Sequence, residues 1–118
     1  MAVVQTKLVI VVRADLGMGR GKIAAQAAHA AVAAALAGIG TAPFLDWLAD
    51  GQPKVVLRAS SEQDLGEITA KASAAGLPVQ VIRDAGRTQV TAGTPTCCAI
   101  GPAADHDVDP VTGMLPLL

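Results

Sequence analysis

The sequence predicts a three-layer α/β/α domain built on a mixed four-stranded sheet. Two observations carry this. Short β-branched apolar runs alternate with helical stretches in the order β-α-β-α-β-β, which argues for parallel strands joined by right-handed crossovers. The fourth run follows the third through a loop with no helix between them, so it is free to run antiparallel. The 118 residues, 52% of them hydrophobic and 16% charged, are enough for one domain with a buried core. Residues 1–118 are accordingly read as a single domain.

Lys7 to Arg13 is continuously apolar between its end charges, the pattern of a strand covered on both faces. A loop with Gly17, Gly19 and Gly21 follows, and Lys22 opens an alanine-rich helix to about Ala37. Alanine is the best helix former, and Gly38 and Gly40 end the run. Apolar nearly all round, this helix is expected to pack on more than one side. Pro43 to Leu48 is a short amphipathic piece before the Asp50-Gly51 turn. Lys54 to Ala59 is the second strand. Ser60, Ser61, Glu62 and Asp64 offer a helix start, because serine caps and early acids suit the positive end of the helix dipole. That helix runs to about Ala75 and stops at Gly76. Pro78 to Arg83 is the third strand, and 84–95 is a long Gly/Thr/Pro loop. Thr96 to Ile100 is the fourth strand, closed by Gly101-Pro102. The tail from 103 has room for a short helix.

Composition excludes several functions. A net charge of −1 rules out holding nucleic acid by bulk positive charge, though not a local basic patch. With one Trp, one Phe and no Tyr, stacking bases on exposed aromatics is disfavoured. Cys97 and Cys98 are neighbours, pointed to opposite faces by a strand and read as reduced, in a cytoplasmic chain. No zinc spacing, signal peptide or membrane span is read, so neither metal nor membrane is expected.

The informative residues are polar ones in apolar surroundings. Lys22, Gln26 and His29 are spaced i, i+4, i+7, within about 60° of one another on a helix. Such a stripe either faces water or lines a site. Arg20 and Lys22 follow a glycine loop at a helix start, a setting that attracts anions. The second cluster, Arg83-Asp84-Ala85-Gly86-Arg87-Thr88-Gln89, follows a strand where α/β domains carry their sites. It is either a solvated turn or part of such a site. Thr94 and Thr96 close the loop. Were the first and third strand ends adjacent, Arg13, Arg20, Lys22, Arg83 and Arg87 would form a positive pocket for a phosphate-bearing ligand.

These segments resemble the archaeal and eukaryotic (type 2) peptidyl-tRNA hydrolases. The matching blocks are KLVIVVRADLGMGRGKIAAQAAHAA, QPKVVL, GLPVQVIRDAGRTQ and GTPTCCAIGP, in the family's order over nearly the whole chain. The resemblance implies an enzyme that hydrolyses the ester between a peptide and the 3′ ribose of tRNA, recycling stalled peptidyl-tRNA. It implies no cofactor, and a homodimer. Lys22, Asp84, Thr88 and Thr96 match the family's catalytic residues, with Arg20, Gln26, His29 and Arg87 as substrate-binding support. The alternative is a non-catalytic tRNA- or protein-binding module on the same scaffold. Two departures stand out. The family's tail usually has a lysine where Pro116 stands, and Cys97 and Cys98 replace apolar strand residues.

Overall fold

A computed structural model describes residues 4–85 and 92–118. In chain order the elements are β1 (Thr6–Arg13), α1 (Arg20–Gly38), α2 (Ala42–Ala49), β2 (Lys54–Ala59), α3 (Glu62–Ala74), β3 (Val79–Arg83), β4 (Pro95–Ala104) and α4 (Asp105–Thr112). The sheet order is β2-β1-β4-β3. β1 and β2 are parallel, while β4 is antiparallel to both its neighbours. Thus β1, β2 and β3 share one direction, as strand–helix–strand order requires, but the last strand is inserted between the first and the third.

β1 is apolar throughout because it is central. Val9 and Val11 face a core shared with Leu65, Ile68 and Val108 of α3 and α4. Leu8, Ile10 and Val12 face a second core shared with Ala30, Ala34 and Trp47 of α1 and α2. Period-2 alternation on a strand covered twice produces both cores from one run of residues. The cysteines obey it: Cys98 lies in the α3/α4 core and Cys97 in the α1/α2 core. The single Trp is a core residue, its indole Nε1 donating to Pro53 O at 2.9 Å, so it offers no stacking surface.

Burial pushes the Cys97 thiol up to about 11 and the Cys98 thiol up to about 12. Both remain protonated near neutrality, where the thiolate is the reactive form. Iodoacetamide at pH 8 should therefore alkylate the native chain about a hundredfold more slowly than the denatured chain, given a free-thiol pKa of about 8.5. Equal rates would show that the strand opens readily.

Two sequence expectations are corrected. β4 does not stop at Gly101-Pro102 but continues to Ala104. The pairing steps from Lys7↔Ala103 to Val9↔Ile100, so β4 carries an extra residue there. A bulge of this kind absorbs a proline that would interrupt regular pairing. α1 begins at Arg20 rather than Lys22, with Gly19 as its N-cap. It packs against the sheet and against α2, while Val32 at 58% and Leu36 at 64% stay exposed on its outer side. α3 starts as its serine predicts, Ser61 Oγ accepting from Asp64 N at 3.0 Å.

The tail after α4 lies along the outer edge of β2. Arg58 N donates to Pro116 O at 3.0 Å, and Leu118 N donates to Val56 O at 3.1 Å. It thereby occupies an edge that would otherwise present unpaired backbone groups. Among the described residues no helix is long and apolar enough to cross a membrane.

Candidate active site

The site lies where the C-terminal ends of β1 and β3 meet the start of β4, beneath the first turns of α1. Lys22 projects from α1 onto Asp84, the residue after β3, and its Nζ donates to Asp84 Oδ1. The two side chains are 9% and 1% exposed, so the ion pair is nearly closed to solvent. Asp84 is fixed through its backbone as well: its N–H donates to Thr94 O and its carbonyl accepts from Gly93 N, both at 2.8 Å. These two bonds join the ends of the loop and hold the carboxylate at its mouth.

One turn along α1, Gln26 reaches Thr96. The Thr96 hydroxyl donates to Gln26 Oε1 at 2.5 Å, with Ile82 O the more distant acceptor at 3.3 Å. Strand alternation would put Thr96 and Cys97 on opposite faces, yet both meet α1. Cys97 Sγ donates to the Gln26 backbone carbonyl at 3.4 Å. The reason is a second irregularity in β4: Ile82 pairs with Cys97 but Arg83 pairs with Pro95, leaving Thr96 as the extra residue. A bulge re-aims a side chain in this way. Thr96 is 0% exposed.

The other expected residues are placed as follows. Lys22 and Gln26 are brought together with Asp84 and Thr96 on the sheet side of α1, so these two do not form a water-facing stripe. His29 and Arg20 are exposed. His29 lies about 60° from Gln26, on the side away from the buried Ala30, which turns it off the sheet. Arg87 and Thr88 lie outside the described residues.

Among the described residues, Arg13 and Arg83 do not share a pocket with Lys22, because they turn to the opposite face of the sheet. Arg13 turns to the α3 side, where it donates to Asp15 at 2.7 and 3.1 Å and to Pro95 O at 3.1 Å. The hydrogen bond from Arg13 holds the Asp15 carboxyl below its ordinary range, against the opposing effect of desolvation. Arg83 donates to Gly93 O at 3.1 Å. Arg13 and Arg83 therefore brace the loop and strand ends from one side of the sheet, while Lys22 and Gln26 occupy the other.

Sequence reasoning missed the bulge that aims Thr96 and the two backbone bonds that hold Asp84. Gly93 and Thr94 were the available signal for the latter, as a turn placed against the strand end. Pro116 lines a cavity of about 570 Å³ with Asp15, Arg58, Ser60 and Asp64. None of Lys22, Gln26, Asp84 or Thr96 borders it, so the tail's departure from the family pattern leaves their contacts unchanged. Among the described residues no group of three His, Cys, Asp or Glu side chains could hold a metal ion.

The comparisons with known proteins agree with one another. The family model described as Peptidyl-tRNA hydrolase PTH2 matches residues 6–118. A peptidyl-tRNA hydrolase of Metallosphaera sedula is 52% identical over 116 residues, covering 95% of this chain and 99% of the relative. Similar proteins of the same name come from Haloquadratum walsbyi, 49% identical over 94% of this chain and 98% of the relative, and from Methanocaldococcus jannaschii, 48% identical over 95% and 99%. With matches of this extent, spanning both the α1 and the β3–β4 segments that build the site, the chain belongs to the peptidyl-tRNA hydrolase PTH2 family.

Proposed function

We infer that the Lys22–Asp84 pair is the working centre of this peptidyl-tRNA hydrolase. The enzyme cleaves the ester between a peptide and the 3′ ribose of tRNA. The observation that carries the assignment of the centre is a nearly buried ion pair at the strand ends, between a lysine on a helix and an aspartate on a loop. Packing alone would fill such a place with apolar side chains, and burying two charges has a desolvation cost that structure need not bear.

Hydrolysis joins the oxygen of water to the acyl carbon, breaks the bond to the ribose oxygen and delivers a proton to that oxygen. Asp84 orients the water. Held by Lys22 and by two backbone bonds, the carboxylate is a fixed acceptor for a water O–H. Lys22 faces the negative charge that develops on the carbonyl oxygen, and one donor in that role is typically worth about 10²–10³ in rate. Thr88 and Arg87 enter the proposal from the family resemblance, beside Asp84 in sequence. Arg20, exposed in the first turn of α1, and His29, exposed one face away, are proposed to meet the tRNA. The enzyme is proposed to work in the cytoplasm, with its substrate.

The direct test is release of tRNA from an N-acetyl-aminoacyl-tRNA. Turnover by the wild type, lost in Lys22→Met, is the expected result. Binding of the tRNA without release would instead identify a binding module.

The chain is further proposed to form a homodimer through α1 and α2. These helices lie on the same side of the sheet and leave Val32, Leu36, Leu45 and Leu48 exposed, with Ile39 exposed just past the end of α1. Side chains of this size gain about 1.5–3 kcal/mol each when fully buried. Light scattering after gel filtration should give twice the chain mass for the wild type and the single mass for Val32→Asp/Leu36→Asp. A monomeric wild type would refute the dimer.

A further inference from the structure

We propose that Thr96 is a positioning residue acting through Gln26, and that Gln26 presents its side-chain amide N–H to the ester carbonyl oxygen of the substrate. This rests on the hydrolase reading above.

Thr96 is 0% exposed, so its hydroxyl has no open path to a substrate. That hydroxyl has one hydrogen. Of its three acceptors, Gln26 Oε1 at 2.5 Å lies much closer than Ile82 O at 3.3 Å or Cys97 Sγ at 4.0 Å. The hydrogen therefore goes to Gln26, and a primary amide whose oxygen is held has its NH₂ turned the other way. Gln26 is itself half-buried, so it keeps access to solvent that Thr96 lacks. With Oε1 held by Thr96, the NH₂ is the end of the amide left to meet a ligand, one helical turn from Lys22 along α1.

The rest of the local architecture serves this one orientation. The irregularity at Ile82/Arg83 turns Thr96 toward α1, against strand alternation. The Cys97 thiol ties the Gln26 backbone to β4 at 3.4 Å. Gln26 is therefore fixed at both its backbone and its side-chain oxygen, and only its amide N–H groups are left to act. A preorganised donor aimed at a developing oxyanion strengthens most in the transition state, so its removal reduces kcat more than it changes KM.

The test is a double-mutant cycle on tRNA release from N-acetyl-aminoacyl-tRNA, using Thr96→Val, Thr96→Ser, Gln26→Ala and Thr96→Val/Gln26→Ala. Circular dichroism and a thermal melt accompany each variant. Gln26→Ala is expected to lower kcat by about 10²-fold with little change in KM. Thr96→Val should lower kcat by about tenfold or more, and the double variant should be no slower than Gln26→Ala. Thr96→Ser keeps the hydroxyl and should recover most of the rate, which separates positioning from general loss of fold. Multiplicative losses in the double variant would show that Thr96 acts independently and would overturn the proposal. So would full activity of Thr96→Val, or a loss that Thr96→Ser fails to recover. No release by a folded wild type would overturn the hydrolase reading and this inference with it, an outcome distinct from any change among the variants.

Discussion

Lys22→Met should lower tRNA release by about 10²–10³-fold and destabilise the chain by about 3 kcal/mol. Methionine keeps most of the length and bulk of the side chain, so the loss is of charge and N–H donors rather than of packing. Asp84 remains 1% exposed beside the place where the ammonium was. A buried carboxylate that loses its ammonium is more costly than an ion pair replaced whole. Asp84→Asn should also lower turnover, since the amide cannot balance the ammonium or hold water as the carboxylate does. The combined variant Lys22→Met/Asp84→Asn then separates structure from chemistry. With neither charge left in the site, part of the lost stability returns, while tRNA release stays at the level of the slower single variant. Urea unfolding and single-turnover release, measured on the same four proteins, check both halves. Near-full turnover in Asp84→Asn would remove the aspartate from the mechanism in either role.

The site divides according to how local each determinant is. β1, α1 and α3 follow from apolar runs, alanine content and the Ser61 cap, all determined within a few residues. Lys22 and Gln26 stood out because an alanine helix has no packing use for them, yet their spacing was equally compatible with water. What decides between these readings is which face meets the sheet. The buried Ala30 and Ala34 set it, and alanine looks the same on either face of a sequence. His29 shared the spacing but falls on the far side of Lys22 from that buried line, so periodicity grouped three residues that the fold separates.

The less legible features are long-range. Insertion of β4 between β1 and β3 is a choice among sheet orders that chain order alone does not make. The face to which Arg13 and Arg83 turn, opposite to Lys22, is set by their register in the same sheet. The aim of Thr96 depends on one extra residue opposite the Ile82–Arg83 step, and a two-residue repeat read along the strand points it to the wrong face. Both irregularities of β4 sit next to residues that look like interruptions, Pro95 and Gly101-Pro102. Such residues mark a local departure from pairing without saying whether the strand stops or bulges.

Gly101→Ala should destabilise the chain by about 3 kcal/mol, a large part of the roughly 5–15 kcal/mol by which a small domain is folded. Gly101 has φ +109°, a region that L side chains rarely adopt. An added Cβ would lie 2.9 Å from Lys7 O and 3.0 Å from Ala103 N. Both neighbours are backbone atoms of the central strands, so neither can rotate away. Relief would require shifting β1 against β4, and that contact carries both cores. Gly51 provides the control. Its φ is +93°, but a Cβ there meets nothing within 4 Å. Gly51→Ala should therefore cost only about 1 kcal/mol from conformation alone. The difference between the two urea midpoints measures the steric part. Because Gly101 stands five residues along β4 from Thr96, the folded fraction of Gly101→Ala should retain turnover. Equal midpoints for the two variants would mean that β1 and β4 yield at the bulge. In that event the register that places Thr96 against Gln26 would have to be maintained by contacts at the other end of β4, where Arg13 meets Pro95 and Asp84 meets Thr94.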